Sequence, residues 1–414
     1  MTLRPGIGWL DAMRDEGRAA FRAHGLPTTK MENWKYTNLK ALDEFAFARP
    51  STSPEFKGEL LDFGGPRLVF VNGVFAPGLS KGLSNTEGQV LPLSAALDSN
   101  ANGVQAHLGK IAIAVDPLAA LNSRVIDDGI ALLLHGRSLS KPVVVEHIST
   151  ATGDGVACHP RNLIVIENDA RAVLVERFSG VGRYLVNPVT EIVLADKVEF
   201  FHYRLFDDDD AAFNLSHTHV RIGRDALYDA QILSLGGALL RNEIRVDLVA
   251  PQAAVYLAGA YLARGRQHVD HTTVIRHDAP HTTSRELFKG ALDGHARGVF
   301  QGNIRVAKGS DGTDGLMTNK TLLLSDRAEM DSKPQLEIYA DDVKCAHGAT
   351  VGELEEEALF YMRARGIPER QARAMLIEGF VGTAFEPTLE TDVGDLFKTR
   401  IAQWLQLAAI KEAA

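Results

Sequence analysis

Leu163-Ile164-Val165-Ile166-Glu167-Asn168-Asp169-Ala170-Arg171-Ala172-Val173-Leu174-Val175 is the stretch whose reading decides the fold. Two short β-rich runs flank a turn signal, and the gap between them is too short for a helix. The same texture recurs from about residue 130 to 345, in Leu132 to Leu134, Val143-Val144-Val145, Ile192-Val193-Leu194 and Ile244 to Val249. No helical pattern alternates with these runs, which argues against a doubly wound α/β sheet. Turn signals at Asp169, Asp196, Asp225, Pro251 and Asp278 fall 27, 29, 26 and 27 residues apart. A period between 20 and 50 residues is the mark of a solenoid. With strands and no helix in each repeat, a β-helix is the natural candidate, although a β-sandwich would also give many short strands.

Both ends have a different texture. Residues 1 to about 50 are charged with helical spacing, so that Trp9, Leu10, Met13, Ala20 and Phe21 share one face. A Pro/Ser-rich loop is expected at 49–54, and a hairpin over Arg67 to Phe75 with Asn72-Gly73 as a type I′ turn. From residue 350 Thr350-Val351-Gly352-Glu353 fits a capping box, followed by Leu354, Ala358 and Tyr361 on one helical face. Gly366 and Pro368 punctuate the start of a second helix carrying Ala372, Met375, Leu376 and Phe380. A third carries Phe397, Ile401, Trp404, Leu405 and Ala408. The apolar face of this bundle packs on the β-region or docks a partner protein. The expected division is 1–95 as an N-terminal helical region with a short hairpin, 96–347 as the β-helix core, and 348–414 as a C-terminal helical domain.

Composition narrows the function. The 414 residues are 45% hydrophobic and 23% charged, the balance of a globular chain with a large core. A net charge of −9 argues against nucleic acid or an anionic membrane as partner. Met1 to Phe21 has no apolar targeting core and no run is long enough to span a membrane, so a cytoplasmic location is expected. There is no GxxxxGK[ST], GxGxxG, HExxH, GxSxG or CxxC, so neither a nucleotide site nor enzymatic catalysis is expected. Two cysteines, Cys158 and Cys345, are too few for a self-contained four-cysteine metal site.

Histidine is the first ligand candidate. His217 and His219 form an HxH pair that would reach one metal from one strand face, against the alternative of hydrogen bonding along stacked rungs. His268, His271, His277 and His281 crowd a second segment. Asp207-Asp208-Asp209-Asp210 reads as a solvated loop, Asp341-Asp342 as strand residues on opposite faces, and Cys158 as a buried small residue near a turn. Cys345-Ala346-His347 stands apart. If a strand persists to His347, both side chains share a face, and Lys344 and the following helix N-terminus would favour a thiolate. A thiolate beside an imidazole suits iron, zinc or an iron–sulfur species, but two ligands leave a site incomplete. A β-helix also ends in an open strand edge, where a partner strand would bring the missing ligands.

The stretch SDRAEMDSKPQLEIYADDVKCAHGATVG, Ser325 to Gly352, resembles the signature of the SufB/SufD family, scaffold proteins of the SUF iron–sulfur assembly system. The similarity continues through Glu357-Ala358-Leu359-Phe360-Tyr361 and Arg365-Gly366-Ile367. Upstream it includes Asp278 to Arg285, Phe288-Lys289-Gly290, and Glu32 to Leu39, which matches the family's ExWxYT segment. With no cysteine before Cys158, the chain resembles the SufD branch, since SufB is usually longer and carries clustered N-terminal cysteines. The resemblance implies a right-handed parallel β-helix core between helical ends. It also implies pairing with SufB through the last β-helix strands, and binding of the ATPase SufC through the C-terminal helices. Iron or a transient iron–sulfur cluster would be held at the SufB–SufD interface, with His347 matching the family histidine there and Cys345 its motif neighbour. A homodimeric interaction module acting without SufB is the alternative, and a carbohydrate-active β-helix enzyme a more distant one.

Overall fold

The computed structural model describes residues 5–44, 48, 56, 58–86, 90–112, 116–136, 138–150, 155–167, 169–385 and 391–411. The loop expected at 49–54 and the side chain of Ala408 lie outside the described residues. The chain is mainly β, with helices at both ends. Its centre is a parallel β-solenoid in which two sheets, of ten and eleven strands, face each other across one apolar interior. Successive strands of each sheet pair in parallel register: Leu227–Ser234 with Ala254–Ala263, and Leu239–Leu248 with His268–His277. A sandwich of antiparallel strands is thereby excluded.

The predicted turn signals sit at real corners. Asp169, Lys197, Asp225, Gln252 and His281 all adopt positive φ, between 55° and 64°. Aspartate tolerates this left-handed region better than most residues, as at Asp169 and Asp225, whereas Asp196, Pro251 and Asp278 lie one to three residues before the left-handed position. The predicted hairpin also forms. Arg67–Val71 pairs antiparallel with Val74–Phe75, and Asn72 and Gly73 both have positive φ, as a type I′ turn requires. Its first strand then pairs in parallel with Val143–Thr150 and enters the ten-stranded sheet.

Equal coil lengths stack like on like. Phe70, His147, Phe178 and Phe206 form a continuous ring ladder with centroid spacings of 5.5, 4.7 and 5.2 Å. The largest buried charge inside the solenoid is held by several partners. The Arg204 guanidinium donates to Glu176 at 3.0 Å, Asn242 at 2.9 Å and Ser216 at 2.8 Å. Burial opposes ionisation of Glu176, but Arg204 together with hydrogen bonds from His147 and His202 holds its carboxyl well below the usual range.

The outer faces are covered by the two ends of the chain. The N-terminal region lies on the eleven-stranded sheet. Leu10 of the Gly8–His24 helix is buried in a cluster with Leu163 and Val165. The ExWxYT-like segment acts as a clamp: Trp34 stacks under Arg241 at 3.9 Å, Thr37 donates to Asp270, and Glu32 pairs with Lys333. The C-terminal helices lie on the ten-stranded sheet. Phe397, Ile401, Trp404 and Leu405 of the Thr391–Lys411 helix pack with Val175, Tyr203, Leu205 and Leu262. In the Glu369–Gly382 helix Ala372, Ile377 and Val381 are buried, whereas Met375, expected inside, is exposed. Among the described residues no helix is long and apolar enough to cross a membrane.

Two stability predictions follow from the interior. Arg204→Ala leaves the buried Glu176 carboxylate without its cation, and should lower the unfolding free energy by about 3–5 kcal/mol in chemical denaturation. Glu286 is buried with both carboxylate oxygens unpartnered, and burial raises its pKa to about 7. The folded chain therefore holds a proton there that the unfolded chain releases near its ordinary value of 4.5. Stability from this group falls as pH rises from that value to about 7 and then levels off. Glu286→Gln should remove that slope, and equal pH dependence in variant and wild type would show the group to be solvated.

Candidate metal centre at the open solenoid end

The two last strands, Glu329–Ile338 and Val343–Gly352, each have a sheet neighbour on one side only. Pro334 lies within the first, as suits an edge strand, since proline cannot donate to a ladder on both sides. Apolar side chains remain uncovered here: Ile338, Tyr339 and Val351 are exposed. A ten-residue edge of this kind is a template for a further strand.

Cys345 and His347 fall on this edge. The strand does persist past His347, to Gly352, so the two side chains share a face. In register they lie opposite Gly315 and Met317, and Met317 is fully buried in the interior. Both ligands therefore face the mouth of the solenoid. Cys345 is half-buried and packs on the core, while His347 is exposed.

The expected activation of Cys345 does not occur. Thr350 is a strand residue rather than a helix cap, because the ladder with Thr313–Leu323 carries the backbone on to Gly352. The next helix begins at Glu356, with Glu355 at its N-cap, too far away for its dipole to act on the thiol. Lys344, one residue away on a strand, projects to the other face. Burial, reinforced by Asp314 and partly offset by a backbone hydrogen bond at Gly315, pushes the Cys345 thiol up. The isolated chain thus presents a protonated thiol and an imidazole, a soft and a borderline donor, with room for ligands from outside.

The other candidates separate. His268 contacts Thr37 under the N-terminal clamp, His271 faces Ser234 inside the solenoid, His277 contacts Thr282 and Ser284, and His281 turns a corner. They do not form one site. Asp207 to Asp210 is not a solvated loop: Asp207 pairs with Arg400, and Asp208 is buried, accepting from Tyr184 and Asn214 at 2.9 Å each. Asp341 and Asp342 lie in the bend between the last two strands rather than on a strand. Cys158 is buried as expected, and burial pushes its thiol far up. His217 and His219 meet each other, and the fold adds Asp116, Glu243 and Arg245 to them. No spacing in the sequence joins residue 116 to 243; coil stacking sets Glu243 beside His217, and the N-terminal cover brings Asp116 to them.

Residues 6–145 match the family described as the SufBD protein N-terminal region, and residues 147–380 match the SufBD core domain of SUF system FeS cluster assembly. The chain is 32% identical over 389 residues to the iron-sulfur cluster assembly protein SufD of Escherichia coli, covering 92% of this chain and 90% of that protein. A SufBD family protein of Synechocystis is 29% identical, covering 86% of this chain and 83% of its own length. A third relative, from Mycobacterium tuberculosis, is 31% identical over 64% of this chain and 68% of its own.

The geometry makes the two thiols distinguishable. Alkylation of the native chain, read by mass spectrometry, should label Cys345 and spare Cys158. The rate at Cys345 should still be rising above pH 9.0, the ordinary thiol value. Rapid labelling at neutral pH would mean the thiolate is stabilised by contacts other than those described.

Proposed function

The chain belongs to the SufBD family of iron–sulfur cluster assembly proteins and is a SufD homologue, and from that premise we propose that it is a non-enzymatic scaffold subunit that pairs with SufB and binds the ATPase SufC. His347, aided by Cys345, supplies ligands to iron or a nascent cluster at the shared interface, and SufB supplies the rest. The observation that carries this reading is the coincidence of an unpaired strand edge, uncovered apolar side chains and an incomplete Cys–His pair on one terminal coil.

The chemistry follows from the donors. Iron binding to Cys345 displaces the thiol proton, so loading weakens on acidification and is favoured once a partner's ligands and cation are in place. A partner strand on Val343–Gly352 satisfies the open ladder and closes the mouth over His347, lowering the local dielectric and excluding water. The second surface is helical. Phe360 and Tyr361 on the Glu356–Ala364 helix are exposed, and exposed Met375 on the next helix lines a groove of about 920 Å³ with Pro368, Ala374, Ile377 and Leu405. These helices serve as the docking site for SufC, and nucleotide-driven motion reaches the open edge because Gly352 and the first helix are separated by only a short link. The expected cut at 347 falls inside the last solenoid strand, Val343–Gly352, and that at 95 inside the helix Leu93–Ser99, so the docking helices begin only after Gly352.

Co-expression with SufB and SufC, followed by size-exclusion chromatography, tests the assembly: a joint complex is expected, whereas a SufD-like homodimer that excludes SufB would overturn it. Within a joint complex, His347→Ala should leave assembly intact and reduce iron and sulfide content. Val351→Asp should weaken pairing with SufB by roughly tenfold, about 1.4 kcal/mol. Normal cluster loading in the His347→Ala complex would remove His347 from the site.

A further inference from the structure

A second cluster of ligand-type side chains lies on the outer face of the eleven-stranded sheet, far along the chain from the open edge. His217 and His219 project from strand Phe213–Ile222, and their cross-strand neighbours on Leu239–Leu248 are Glu243 and Arg245. Asp116 reaches the same point from the N-cap of the short helix Pro117–Ser123. Its Oδ1 accepts from the Leu118 backbone N–H at 2.9 Å, which leaves Oδ2 turned toward the histidines.

Three observations point to a ligand. The Nε2 atoms of His217 and His219 are in direct contact, so two imidazole nitrogens converge on one point with room for no more than a proton between them. His217 is fully buried and its Nδ1 has no hydrogen-bond partner. Finally, Asp116 Oδ2 lies 3.8 Å from His217 Nε2, and Glu243 Oε1 lies 3.9 Å from Nδ1. Those separations are too long for hydrogen bonds. The first, between two prospective ligand atoms, is close to the edge of a tetrahedron around a metal with bonds of about 2.0–2.2 Å, roughly 3.4 Å. Asp116, His217 and Glu243 each place a ligand atom within 4.8 Å of the others.

We propose that Asp116, His217 and His219 bind a divalent first-row transition metal of the zinc or ferrous class, the His219 ring turning off its contact with His217 to open the edge between the two nitrogens. Glu243 Oε1, 3.9 Å from His217 Nδ1 while Arg245 holds the carboxylate, is placed to close on that N–H and orient the ring once the metal takes Arg245's place, the usual partner of a metal-bound imidazole. The fourth position faces a groove of about 410 Å³ bordered by Asp116, His219, Arg245 and Asn303, which supplies water and an entry path. Arg245 currently bridges Asp116 at 2.7 Å and Glu243 at 2.6 Å, and its side chain is one-third exposed toward that groove. It stands where the cation's charge is needed, so metal entry requires its guanidinium to swing outward. The site is independent of Cys345 and His347, and it needs no second chain.

Cobalt titration of the metal-free full-length chain tests this. One cobalt per chain should bind, with visible ligand-field absorption of nitrogen and oxygen donors and no thiolate-to-cobalt charge-transfer band. His219→Gln, at the groove rim, should abolish that spectrum while circular dichroism remains native. Glu243→Gln should weaken binding roughly tenfold or more. Arg245→Gln, which removes the competing cation, should bind more tightly than wild type. The Cys345→Ser/His347→Ala double variant should bind unchanged, which separates this site from the interface reading. Absence of saturable binding in both wild type and Arg245→Gln would overturn the proposal, as would a spectrum insensitive to His219→Gln or one lost in the Cys345→Ser/His347→Ala variant.

Discussion

Parallel pairing of each coil with the next is the interaction on which the rest of this structure depends. Every strand's backbone groups are satisfied by the coils before and after it, so the solenoid has no internal edge to protect. The same rule leaves a problem at the end of the stack. Glu329–Ile338 and Val343–Gly352 have no following coil, and their outward groups and apolar side chains stay open. The candidate centre is a consequence of that termination: Cys345 and His347 face outward because no further coil covers them.

Stacking also governs where polar groups go. In a coil of nearly constant length, each position meets its counterpart one turn away, so one buried charge is paired with a residue about one coil distant. Glu176 and Arg204 meet this way inside the solenoid, and Arg161 with Glu191 at 2.6 Å outside it. Buried pairs of this kind contribute little net stability, but losing one member is costly. They serve instead to fix the register, since a slip of one residue would turn every such group to the wrong face. The two terminal regions then cover opposite sheets, the N-terminal clamp through Trp34 and Thr37 and the C-terminal helices through Phe397 and Trp404. The final coil and one groove on the eleven-stranded sheet keep ligand-type side chains in reach of solvent.

The sequence alone determined the repeat, because its turn residues and β-rich runs are local signals. Asp169 and Asp225 mark corners through an intrinsic tolerance of positive φ, and Asn72-Gly73 marks a turn for the same reason. It determined the Cys345–His347 face too, since alternation along a strand follows from two residues' spacing. Tertiary structure decided what depends on neighbours distant in the chain. Thr350 carries a capping-box pattern but stays in a strand, because ladder pairing with the preceding coil outweighs a local cap. Met375 fits the apolar face of its helix, yet the sheet beneath selects Ile377 and Val381. The thiol of Cys345 is raised rather than lowered, because burial and Asp314 reach it while the helix dipole does not. Asp116 and Glu243 join His217 and His219 only through the stacking of coils and the cover laid over them, a proximity in space that no local pattern encodes.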